Sequence, residues 1–315
     1  MDAHFLCRIG SLLLLLFSAM GARYETANFT VTAPTADSAR QFAETAEQYR
    51  KDLAILWLGK TLPDWSEKCP IIVHVGEKLG AGGATSFIFE NGEVFDWEME
   101  IQGSYERILD SVLPHEITHM ILASHFRKPI PRWLDEGMAT SVECQSEKAN
   151  YRRLLRRYLQ SNVQRCFPLN RMVAMKDYPT DPMPFYAQGF SLVEYLLESG
   201  QQFDDYTHRR LVRFAQSAMH GGNWQLALQE HYGVQNLGEL QLSWVAWIDN
   251  DGVVLLTVAE IPVVPPPAIE DVPMPLVSAK PPLPPPSGQS IYDRQEETEK
   301  YEPIPTSLGR DVLLR

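Results

Sequence analysis

The sequence predicts an α+β fold in which a small sheet comes first and a long helical region follows. Three observations lead there. Between residues 28 and 101, short segments alternate apolar and polar side chains with the two-residue period of strands. The dipeptide Asn91-Gly92 separates two of these segments and favours a tight hairpin turn. From Ser104 to about Asp249 the spacing becomes helical and stays so. Strands followed by helices describe α+β rather than a doubly wound sheet. The expected sheet is small, mixed or antiparallel, and contains the hairpin.

Residues 28–32 (NFTVT) alternate as a short strand. Residues 38–58 carry apolar side chains at helical spacing, and Gly59 stops them. Residues 71–75 (IIVHV) read as a buried strand, which makes His74 a packed or hydrogen-bonded core histidine. A glycine-rich turn at 80–83 leads into a strand over 84–89. The returning strand, 93–101, sets Phe95, Trp97, Met99 and Ile101 on one face and Val94, Asp96, Glu98 and Glu100 on the other. Helices are expected over 111–126, 131–143, 147–160, 184–199, 204–218, 223–231 and 236–248. No internal repeat is visible.

Composition narrows the classes. The chain has 315 residues, of which 44% are hydrophobic and 22% charged, which is ordinary for a globular protein. A net charge of −12 without any Lys/Arg cluster argues against nucleic acid and gives no reason to expect anionic lipid. Residues 1–22 read as a cleavable signal peptide. Arg8 precedes five consecutive leucines, small residues follow at Ala19, Gly21 and Ala22, and the apolar run is too short to span a bilayer. The protein is therefore expected to be secreted or periplasmic, with no membrane span once the signal is removed. Three cysteines remain, too few for a disulfide framework; Cys144 and Cys166 flank a predicted helix and could pair. A catalytic domain is expected over 23–255. Thirteen of the 23 prolines lie between Pro262 and Pro305, so 256–315 reads as a disordered tail, either simply solvated or a ligand for proline-binding domains.

The chemistry concentrates in SVLPHEITH, residues 111–119. His115 and His119 are four residues apart, so on a helix both imidazoles leave one face and can reach a single metal ion. Glu116 lies beside them, free to take a proton from water. Ser111 is a fair N-cap and Pro114 falls in the first turn. Two residues compete to be the third ligand. His125 has the metzincin spacing, but Leu122 stands where that family has its helix-breaking glycine. On a continued helix His125 would point about 80° off the metal face, as a solvated or capping residue. Glu136, in PRWLDEGMA, would project from the start of a second helix anchored by Trp133 and Leu134. Gly137 and Ala139 are small enough to let that helix approach the first.

HExxH together with W-L-x-E-G-x-A resembles the gluzincin zinc metallopeptidases, especially their aminopeptidase branch and peptidase-MA-like members of unassigned substrate. The loop between His119 and Glu136 is slightly shorter than that branch's. Tyr186-Ala187-Gln188-Gly189-Phe190 resembles the branch's Y-x-K-G-F, departing at Gln188. The amine-binding G-x-M-E-N segment is missing, so aminopeptidase action is not implied. The resemblance covers about residues 70–200. It implies a thermolysin/aminopeptidase-like catalytic region with one Zn²⁺ on His115, His119 and Glu136. It further implies Glu116 as general base, Tyr186 as donor to the oxyanion, and a peptide or protein as substrate. For Tyr186 a packing role on Leu192 and Tyr195 stays open. Asp110, Asp135, Thr140 and Glu143 are the candidates to receive the second N–H of each histidine. The competing readings are a gluzincin-like binding protein without activity and an exported scaffold acting through its Pro-rich tail.

Overall fold

The computed structural model describes residues 21–160, 165–204 and 206–250. The Pro-rich tail and all of the expected signal peptide except Gly21 and Ala22 lie outside the described residues. The chain is α+β, with a five-stranded mixed sheet among those residues in the order β1-β2-β3-β5-β4. The strands are β1 (Ala22–Glu25), β2 (Phe29–Ala33), β3 (Cys69–Val75), β4 (Gly82–Glu90) and β5 (Glu93–Gly103). β1/β2 and β4/β5 pair antiparallel, while β2/β3 and β3/β5 pair parallel. The sequence gives no sign of β1, whose first residue lies inside the expected signal peptide.

Period-two alternation decides which face is covered. Phe29 and Val31, Cys69, Ile71 and Val73, and Trp97, Met99 and Ile101 all point into the core. His74 therefore points out. It is exposed and bonds through Nε2 to Glu100 Oε1 at 2.9 Å, which corrects its reading as a core residue. The hairpin turns on Asn91 and Gly92, both at positive φ as a two-residue primed turn requires. A bulge follows, where Phe87 faces the pair Asp96 and Trp97 and Asp96 takes φ 54°.

Helix α1 (Ala36–Leu58) begins two residues earlier than its apolar spacing suggests. Thr35 and Ser38 form a reciprocal cap, each side chain bonding the other's backbone N–H. Ala39, Ala43 and Ala46 bring α1 close to β1 and β2, with Phe42 and Trp57 filling the space around them. The longer helices that follow are α2 (Leu113–Phe126), α3 (Arg132–Ser141), α4 (Gln145–Gln160), α5 (Met183–Gly200), α6 (Thr207–Gly221), α7 (Trp224–Tyr232) and α8 (Leu237–Asp249), with a single helical turn at Leu169–Met172 between α4 and α5.

The approach to α2 differs from expectation. Ser111 does not cap it. Helical structure starts at Ser104, whose hydroxyl accepts from Arg107 N, and continues through a π turn at Ile108–Val112. In that turn Leu113 N bonds Ile108 O, one residue further back than in an α-helix, so Leu109 O has no helical donor. Tyr49 of α1 supplies one, its Oη donating to Leu109 O at 2.9 Å. Ser111 is buried instead and donates to Asp110 Oδ1.

Gly137 also acts elsewhere than expected. It faces α5, not α2: a Cβ on it would lie 2.5 Å from Gly189 O, and one on Gly189 would lie 2.7 Å from Trp133 O. Two missing side chains thus let α3 and α5 cross backbone to backbone. The three described cysteines are free thiols, so the structure does not form the Cys144–Cys166 pair.

Candidate metal centre

α2 carries His115, Glu116 and His119; α3 carries Asp135 and Glu136. One helical turn separates the two histidines, and their rings lie 4.9 Å apart. Glu136 Oε2 lies 3.6 Å from His115 Nε2 and 3.9 Å from His119 Nε2. One ligand atom from each of the three residues falls within 4.8 Å of the others, so the group could hold a metal ion. Ligand bonds of 2.0–2.2 Å in a tetrahedron put neighbouring donors about 3.4 Å apart, close to the two histidine–carboxylate spacings.

Both imidazoles are aimed from behind. His115 Nδ1 donates to Glu143 Oε1 at 2.7 Å, and His119 Nδ1 donates to Asp135 Oδ1 at 2.7 Å. These bonds leave each Nε2 facing Glu136. Of the four candidates for this role, Asp135 and Glu143 fill it. Asp110 accepts from Ser111, and the Thr140 hydroxyl makes no hydrogen bond to either ring.

Charge explains why the cluster holds together. Burial alone opposes ionisation of His115. The ion pairing with Glu136, the hydrogen bond to Glu143 and the nearby carboxylate charges outweigh it, raising its pKa well above the ordinary imidazole value. His119 is likewise opposed by burial and raised by Asp135 and Glu136. Burial pushes Glu136 up, but His115 and His119 hold it below the usual carboxylate range. Either side alone would be costly to bury; together they neutralise one another. A divalent cation would take over that task, displacing the protons.

Glu116 stands outside the ligand group. Thr85 of β4 donates to its Oε2 at 2.7 Å. A Cβ on Gly83 would come within 2.6 Å of its other oxygen, so the bare backbone of β4 makes room for the carboxylate. Neither contact is legible in sequence, because β4 and α2 meet only through folding.

The sequence reading also missed Tyr178, from the loop between α4 and α5. Its Oη donates to Glu136 Oε1, and its ring stacks on Tyr186 at 5.7 Å. Tyr186 is thereby placed at the centre. Burial first, then the charge of Glu136, keeps its phenol protonated well above the ordinary range. Gln188, where the resembling segment has lysine, is fully buried. Its amide accepts from Phe167 N and donates to Phe167 O, pinning the start of the loop that carries Tyr178. Lysine could not make the accepting half of that pair.

The other described histidines stay away from the centre. His125 bonds Gln216 through Nε2 at 2.9 Å, and burial pulls its pKa down to about 4, so it is packed rather than solvated. His208 packs edge-on against Trp57, and His231 is buried and shares a hydrogen bond with Ser217. His220 is exposed. No protein-family profile and no curated protein matches the chain.

Proposed function

We propose that this chain is an exported zinc metallopeptidase of the gluzincin type, hydrolysing peptide bonds. The observation that carries the reading is the convergence of His115 Nε2, His119 Nε2 and Glu136 Oε2, with Glu116 close by but outside the ligand set. Zinc suits two imidazoles and a carboxylate; when bound it would polarise the scissile carbonyl and make water a stronger acid.

The protein's own groups do the rest. Glu143 and Asp135 fix the tautomer and direction of the two imidazoles. Tyr178 occupies Glu136 Oε1, leaving Oε2 as the free donor. Glu116, steadied by Thr85, takes the proton of the attacking water and passes it to the leaving amine. Tyr186 remains a neutral phenol and can donate to the developing oxyanion. β4 lies at the edge of the sheet beside Glu116, where an extended peptide can pair with its backbone.

Two measurements test this. Purified protein should carry stoichiometric zinc, and Glu136→Ala should lose it. Wild type should cleave an unfolded protein substrate, and Glu116→Gln should keep the metal without cleaving. A zinc-free wild type, or a fully active Glu116→Gln variant, defeats the proposal.

A further inference from the structure

Arg132 opens α3, one helical turn before Glu136 and so on the same side of that helix. Its guanidinium is partly buried and stands over the ring of Tyr178, 5.2 Å from the centroid, within electrostatic reach of Asp135, Glu136 and Tyr186. Other arginines close on carboxylates: Arg152 on Glu194, Arg165 on Asp181, Arg210 on Asp204. The Arg132 guanidinium makes no hydrogen bond or ion pair with any described residue.

That arrangement is informative because carboxylates lie nearby and are committed elsewhere. Asp135 is held by His119, and Glu136 by Tyr178 and the two imidazoles. A planar fork of donors thus remains available beside the centre, braced by an aromatic face. With Glu116, Asp135, Glu136 and Glu143 gathered there, an anionic group on a substrate would otherwise be repelled. One guanidinium reverses that locally, and a bidentate pair with a carboxylate is its best-matched contact.

We propose that Arg132 is a substrate-recognition residue that receives a carboxylate of the peptide, from an acidic side chain or from the C-terminus, next to the bond being cut. The proposal rests on the metallopeptidase reading. The guanidinium touches no ligand atom, so its role lies in selecting substrate rather than in holding metal.

The test uses probes anchored by the metal itself. Monohydroxamates of succinic, glutaric and adipic acid are titrated into zinc-loaded full-length protein beside their terminal carboxamides. The carboxylate form of at least one length should bind about tenfold more tightly than its carboxamide, as charge-assisted pairing implies. Arg132→Gln should erase that advantage with zinc content unchanged, and Arg132→Lys should restore part of it. Equal binding of each carboxylate and carboxamide overturns the proposal, as does an advantage that survives Arg132→Gln. If no hydroxamate binds at all, the metal-centre reading has failed and takes the proposal with it.

Peptide pools then separate the two sources. Cleavage of C-terminally amidated peptides beside Asp or Glu identifies a side-chain carboxylate. Cleavage that requires a free C-terminus identifies the chain end. Either preference should vanish in Arg132→Gln; cuts with neither preference count against the proposal.

Discussion

Tyr178 donates its phenolic proton to one oxygen of Glu136 while the other oxygen faces His115 and His119. The tyrosine comes from a loop, yet it decides which carboxylate oxygen is free. Tyr178→Phe keeps the ring stacked on Tyr186 and removes only the hydroxyl. Zinc affinity, measured by competition with a chromogenic chelator, should fall about 10- to 100-fold, as losses of such supporting bonds do. Thermal stability without metal should fall as well, by about 1–3 kcal/mol, because a buried carboxylate oxygen loses its donor.

Glu116 and Thr85 should separate cleanly. Glu116→Gln should lower the cleavage rate by about 10²- to 10⁴-fold, the usual weight of a positioned base, and retain zinc. Thr85→Val removes the hydrogen bond that steadies the carboxylate but leaves the base in place. Its rate should drop by roughly tenfold, the worth of about one hydrogen bond to a charged group. Steady-state kinetics of both variants on one peptide checks the order.

Metal uptake should depend on pH in a fixed direction. Nearby carboxylates raise the pKa of His115 and His119 against the effect of burial, so both hold their protons to higher pH than a free imidazole does. Binding must expel those protons, so zinc affinity should rise with pH through the neutral range. Titration calorimetry in two buffers of different ionisation enthalpy should show net proton release at pH 7. Uptake without release would contradict the charge pairing described.

The crossing of α3 and α5 should be intolerant of a methyl group. Gly137→Ala would drive its Cβ into the Gly189 carbonyl at 2.5 Å. Forcing the helices apart should cost about 1–3 kcal/mol and also displace Glu136. Urea unfolding should report the loss in stability, and zinc content the displacement.

Local patterns made much of this legible. His115, Glu116 and His119 share one helix, so their spacing alone puts them together, and Trp133 and Leu134 mark where the next carboxylate enters. Thr85, Gly83 and Tyr178 carried no comparable signal; the first two meet the centre only when the sheet packs on α2, and Tyr178 only when the loop before α5 folds against α3. The run Ile71 to Val75 looked buried on both sides because it is almost wholly apolar. Only one side is covered, and His74 falls on the other. Ser111 resembled a cap because a proline follows it closely, but the π turn carries the helix past both.

That π turn makes the centre depend on backbone conformation as well as on residue type. Five residues fill there the arc that four would fill in an α-helix, so the side chains after Pro114 keep the phase that one residue fewer would give them. Closing the turn to ordinary α-helix with all its residues retained would swing the following side chains by about 100° around the axis. The imidazoles would then be delivered to the wrong quadrant, and a chain with every motif letter intact would have no place for a cation.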